Sequence, residues 1–162
     1  MKRDVNQIVI HCTATPIDVD YTFEKLIADH KARGFNTCGY HRYIKKDGTI
    51  HIGRHFDKVG AHAGKGHNAN SIGISYEGGI IAGGNASNPK HAKDTRTEAQ
   101  KASILKCIYE AIDYGNITSV VGHRDLSPDL DGDGIVEPHE WIKMCPCFDA
   151  IPEYKFTLKK NW

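Results

Sequence analysis

NQIVIHC, residues 6–12, is a short β-branched apolar run that ends beside a histidine. It reads as a buried strand that delivers His11 at its end. Two further runs have the same character. SIGISY (71–76) precedes a pair of glycines at 78 and 79, and ITSVVG (117–122) leads directly into His123. Helical patterns lie between these strands. Phe23, Leu26, Ile27 and His30 recur at helical spacing over 22–33, and Gly34 closes that segment as a C-cap. Ile104, Leu105, Ile108 and Ile112 mark one face of a helix that starts at Thr95 or Thr97, runs to about Tyr114 and ends at Gly115. Lys46-Asp47-Gly48 between 40–45 and 49–52 is a hairpin signal. Segments 60–70 and 81–95 read as loops, and the chain closes on a loop-rich end. The order predicts an α/β fold: a single domain over 1–162 with helices packed on a central sheet.

Composition agrees with one compact domain. The chain has 162 residues, 40% hydrophobic and 25% charged, enough to bury a core without disulfides. Its net charge of +1 gives no general attraction to nucleic acid. Lys155, Lys159 and Lys160 read as a solvated basic tail. No apolar run is long enough to insert in a membrane. The opening MKRDVNQIVIHC is too short in its apolar part for a signal peptide, so synthesis in the cytoplasm is expected. A monomer is the expected state. Five cysteines, an odd number without a regular framework, fit a reducing compartment. Ten histidines are many for this length and hint at a metal.

Three candidate ligands fall at strand ends or in nearby loops: His11, His123 and Cys145. Two imidazoles and a thiolate suit Zn²⁺, and three protein ligands leave a fourth tetrahedral position open, as in a catalytic site. Alone, a histidine at a strand end is more often a hydrogen-bonded structural residue, and Cys145 with Cys147 reads equally well as a pair of inert buried thiols.

IVIHCTAT (8–15), GYHRYIKKDGTIHIGR (39–54), VGAHAGKGHNANSIGISYEGG (59–79), GHRD (122–125) and KMCPCFD (143–149) occur in this order. Together they resemble the N-acetylmuramoyl-L-alanine amidases of the phage lysozyme and peptidoglycan-recognition type, over roughly residues 7–150. The resemblance implies a zinc-dependent hydrolase that cuts peptidoglycan or muropeptides between N-acetylmuramic acid and L-alanine. It implies a central mixed β-sheet flanked by helices with a zinc cleft on one face, and His11, His123 and Cys145 as zinc ligands. Tyr40 and Lys143 match catalytic positions, with the proton transfer left open between them. Zinc would acidify water and polarise the carbonyl, and a lysine would stabilise the oxyanion. His62 resembles a position beside the substrate cleft, and Cys147 stands where relatives often carry serine. Some relatives place a glutamate base where Ser75 falls here, which leaves Glu77 as a second-choice base and favours the Tyr/Lys chemistry. His41 should point away from Tyr40 and read as structural. A phage endolysin, released to the cell wall, is one implied role; a muropeptide-recycling enzyme is another. A non-catalytic recognition module is the alternative, disfavoured because Cys145 and Tyr40 are both present.

The stretch from Asp129 to Glu140, DLDGDGIVEPHE, is an insertion that fits a calcium loop. Asp129, Asp131 and Asp133 would offer carboxylates, Ile135 its carbonyl and Glu140 a bidentate carboxylate. A following helix is expected over 137–143.

Overall fold

The computed structural model describes residues 2–158; Lys159 and Lys160 of the basic tail lie outside the described residues. Five strands form the main sheet: β1 (Gln7–Cys12), β3 (Arg42–Ile44), β4 (Ile50–Ile52), β5 (Ser71–Tyr76) and β7 (Ser119–Gly122), in the order β4-β3-β5-β1-β7. β1 runs parallel to β5 and β7, β5 runs parallel to β3, and β4 returns antiparallel. The sheet is therefore mixed, as expected. Its central strands are covered on both sides, which is why β1 and β5 read as unbroken apolar runs. A second sheet of two strands, β2 (Thr15–Pro16) and β6 (Gly79–Ile80), was not legible in the sequence. Strands of two residues carry no periodicity.

The pleat sorts the side chains. Ile8, Ile10, Cys12, Ile72, Ile74, Tyr76 and Val120 join one core cluster with Ile104, Cys107, Ile108 and Ala111 of α2 (Glu98–Tyr114). α2 starts at Thr97, whose hydroxyl accepts from the Gln100 N–H while the Gln100 side chain accepts from the Thr97 N–H. Thr95 does not cap the helix; its hydroxyl accepts from the Gly79 N–H instead. Alternate residues of β1 and β5 face the other way. There, α1 (Phe23–Ala32) packs Leu26 against Tyr43, which shares a sheet row with Ser75 and His11. Thr22 caps α1, and Gly34 follows it at φ +91°, a conformation only glycine adopts without strain.

Three expectations need correction. The strand expected over 40–45 covers only Arg42–Ile44, and Tyr40 sits in the bend before it. Gly39, just before Tyr40, is closely packed: a Cβ there would lie 2.3 Å from the Ala61 carbonyl oxygen, whose residue donates its N–H to the Gly39 carbonyl. The loop-rich end contains a helix, α3 (Ala150–Tyr154), which buries Ala150 and Tyr154 against the sheet core; Pro152 in so short a segment hid it. The helix expected over 137–143 is a single 3-10 turn, Pro138–Glu140: the Glu140 carboxylate caps it by accepting from the Glu137 N–H, but Trp141 turns extended and ends the segment.

Candidate metal centre and its groove

The site forms at the carboxyl end of the parallel strands, where open α/β sheets place their ligands. His11 is the penultimate residue of β1. The register pairs Ile10 with Gly122, so His123, the next residue of its chain segment, arrives beside His11. A 3-10 turn begins there, and the Asp125 carboxylate accepts from the Gly122 N–H at 2.6 Å. The third segment is tied to β1, to β5 and to the turn after β7. The Arg124 N–H donates to the Cys145 carbonyl at 2.8 Å, the Tyr76 hydroxyl donates to the Pro146 carbonyl at 2.6 Å, and the Cys12 N–H donates to Cys145 Sγ at 3.2 Å.

This brings together the three residues that the sequence nominated from separate segments. His11 Nδ1 lies 3.1 Å from His123 Nδ1 and 3.9 Å from Cys145 Sγ, and all three donor atoms lie within 4.8 Å of one another. Tetrahedral Zn²⁺, with nitrogens at about 2.0 Å and sulfur at about 2.3 Å, has N···N edges of about 3.3 Å and N···S edges of about 3.5 Å. The donor set fits that ion in spacing and in chemistry. Burial pushes the His123 imidazole down to about 4, with Lys143 adding to the effect. His11 is pushed well down by burial first, then by His62, His123 and Lys143. Both rings are thus neutral, the form that ligates metals.

Tyr40 is half-buried, with its ring centroid 5.0 Å from that of His11. Burial raises its phenol pKa, with Cys145 and Cys12 next in effect, so the hydroxyl is a neutral donor. Lys143 is exposed and sits on the wall of a groove of about 520 Å³, together with Arg33, Phe35, His62, Lys65 and His123. A second depression, about 350 Å³, shares Lys143 and includes Ile80, Trp141, Cys145 and Cys147. His62 therefore lines the groove, but its ring is buried and its Nδ1 lies 2.9 Å from His11 Nε2. That contact had no signal in the sequence.

Other residues settle into supporting positions. His41 is fully buried; its Nδ1 accepts from the Gly73 N–H and its Nε2 donates to the Lys58 carbonyl, each at 2.9 Å. Glu77 accepts from the Tyr21 N–H at 2.8 Å and the Lys46 N–H at 3.0 Å, and pairs with Lys45 at 3.1 Å. Its carboxylate is engaged as an anchor between segments. Ser75, in register with His11, is fully buried and its Oγ has no hydrogen-bond partner among the described residues. Cys147 Sγ lies 3.8 Å from Cys12 Sγ and outside the donor set.

The acidic loop draws Asp129, Asp131 and Asp133 together, with one oxygen of each within 4.8 Å of the others. Those carboxylates already accept from the loop's own amides: Asp129 from Gly132 and Gly134, Asp131 from Asp133, Asp133 from Ile135. Glu140 accepts from Leu130 and Glu137, and these backbone bonds hold its pKa down.

Residues 1–139 match the family model for N-acetylmuramoyl-L-alanine amidase. The endolysin of Escherichia phage T7 is 40% identical over 162 residues, covering 99% of this chain and 87% of its own. An uncharacterized protein of Haemophilus influenzae is 48% identical over 104 residues, 64% of this chain and 84% of its own. Among solved structures, N-acetylmuramoyl-L-alanine amidase LysC from Clostridium intestinale URNW superposes with a TM-score of 0.69 at 31% identity, covering 97% of this chain and 88% of that one. Wild-type Drosophila PGRP-LB, at 23% identity and a TM-score of 0.63 over 96% of this chain and 82% of that one, shares the fold.

Proposed function

The chain belongs to the N-acetylmuramoyl-L-alanine amidase family, and from that membership we propose a zinc-dependent hydrolase of the amide between N-acetylmuramic acid and L-alanine in peptidoglycan. The observation that carries the reading is the convergence of His11 Nδ1, His123 Nδ1 and Cys145 Sγ beside Tyr40 and Lys143. Zinc held by those three residues supplies Lewis acidity toward the scissile carbonyl and toward water.

The remaining chemistry belongs to the chain. Amide cleavage needs charge relief on the oxyanion and a proton for the leaving amine. Lys143 brings a cation to the groove wall, where it stabilises developing negative charge. The neutral Tyr40 hydroxyl donates a hydrogen bond at the reacting centre. Proton delivery to the L-alanine nitrogen falls to this Tyr/Lys pair. Arg33 and Lys65 add positive charge to the groove, complementary to the carboxylates of a stem peptide.

Several relatives bear the name endolysin, and we assign this chain the same role: a monomer that reaches the cell wall after release. No helix among the described residues is long and apolar enough to cross a membrane. The proposal extends to Ca²⁺ at Asp129, Asp131, Asp133, Ile135 and Glu140, on the loop motif and the clustering of its carboxylates.

The test is digestion of purified peptidoglycan by zinc-loaded protein, with mass spectrometry of the products, beside Cys145→Ala. Free stem peptides with an L-alanine amino terminus, lost in the variant, are expected. Muropeptide binding without any release from zinc-loaded protein would replace the enzyme with a recognition module.

A further inference from the structure

The loop over 60–70 does more than border the groove. It folds back over the sheet and inserts the His62 ring beside β1 and β5. Asn68 pins the insertion, its Oδ1 accepting from the His62 N–H at 3.0 Å and the Ala63 N–H at 2.8 Å. Two glycines clear the seat. A Cβ at Gly60 would lie 2.4 Å from the His62 ring, and one at Gly73 would lie 2.5 Å from it. Neither glycine has a positive φ, so what each position requires is the missing side chain.

From this seat a hydrogen-bond chain runs to the metal donors, and its direction can be deduced from one end. The His67 carbonyl can only accept, so the Ser71 hydroxyl donates to it, at 2.6 Å. With its proton committed, Ser71 Oγ is an acceptor toward His62 Nε2, 3.4 Å away. His62 Nε2 then carries the proton and His62 Nδ1 is a bare acceptor. Facing it at 2.9 Å is His11 Nε2, which must be the donor. The two rings meet at 88°, an arrangement compatible with a ring N–H aimed at the in-plane lone pair of its neighbour. His11 Nδ1 is left without a proton, and that is the atom turned toward His123 and Cys145.

We propose that His62 is a positioning residue: the chain from the His67 carbonyl through Ser71 and His62 fixes the tautomer and ring orientation of His11 for metal binding. This rests on the zinc reading above. Outer partners of ligating histidines are worth on the order of 10- to 100-fold in metal affinity. The resemblance implied a substrate contact for His62; the geometry adds a role that acts through His11.

Two measurements test it. The first needs no variant: two-bond ¹H–¹⁵N correlation of the metal-free protein, which reads the protonated nitrogen of each imidazole. His11 and His62 both protonated at Nε2 is the expected result, and His11 protonated at Nδ1 would overturn the proposal. The second is zinc affinity by competition with a chromophoric chelator. His62→Ala and His62→Phe should each bind about 10- to 100-fold more weakly than wild type. His62→Gln, which keeps an acceptor, should recover part of the loss. Wild-type affinity in His62→Phe would reduce the ring to a space-filler and end the idea. Failure of the wild-type protein itself to bind zinc would instead sink the functional reading.

Discussion

His41 offers a quantitative test of how burial is used in this fold. Its imidazole is fully buried, and the Gly73 N–H donates to Nδ1, so protonation there would break a bond inside the sheet region. Burial, with Arg3, Arg42 and Arg54 adding to it and the Lys58 carbonyl opposing it, pushes the pKa down to about 4 from the ordinary 6.5. Between those values the unfolded chain binds a proton that the native one refuses. Stability therefore falls as pH drops from 6.5 toward 4, and this contribution levels off below 4. Above 6.5 both states are neutral and the effect vanishes. At 1.36 kcal/mol per unit, the loss reaches about 3 kcal/mol by pH 4. Other buried histidines titrate in the same window, so the informative quantity is a difference. His41→Asn keeps an acceptor for the Gly73 N–H and loses the bond to the Lys58 carbonyl, a cost of about 1 kcal/mol at pH 7.5. Urea unfolding of both metal-free proteins from pH 7.5 to 4 should show the wild-type advantage shrink by about 3 kcal/mol and reverse. A difference that stays constant across the range, or a His41 resonance titrating near 6.5, would refute the reasoning.

Tyr40→Phe should bind zinc as wild type does and lose turnover by roughly 10²- to 10⁴-fold, measured by amine release from muropeptide; undiminished turnover would remove Tyr40 from the chemistry. Arg96 is 2% exposed at its side chain, pairs with Asp94 and Glu153 at 2.8 Å each, and stacks over Phe148 at 3.3 Å. Arg96→Met should cost about 3 kcal/mol, because it unpairs both carboxylates and loosens α3 next to the Cys145 segment; calorimetry would show this as a fall in Tm of roughly 10 °C. Removing calcium while keeping zinc, verified by metal analysis, should lower Tm if the 129–140 loop holds the ion. Unchanged melting and turnover after that removal would dismiss the calcium site.

Residue types and local spacing made much of this protein legible. The β1, β5 and β7 runs announce themselves by composition, although their ladders pair segments far apart in the chain. The caps at Thr97, Gly34 and Gly115 and the Lys46-Asp47-Gly48 turn rest on interactions within a few residues. Their sequence is therefore their explanation. The motif resemblance reached further and nominated His11, His123, Cys145, Tyr40 and Lys143 from segments far apart in the chain. It failed where elements are too short to show a period, as at β2, β6 and α3, and where the backbone leaves the helix after a single turn, as at Trp141.

The candidate donor types, the two central strands and the groups proposed to move a proton were legible in the sequence alone. Only the tertiary structure decided which ring nitrogen of His11 faces the other donors, that His62 backs it, and that Glu77 is consumed as an anchor. The physical reason is that these outcomes depend on distances between segments more than fifty residues apart. A β-strand pattern says which face a side chain takes, and only the packed sheet and its folded-back loop say what stands opposite.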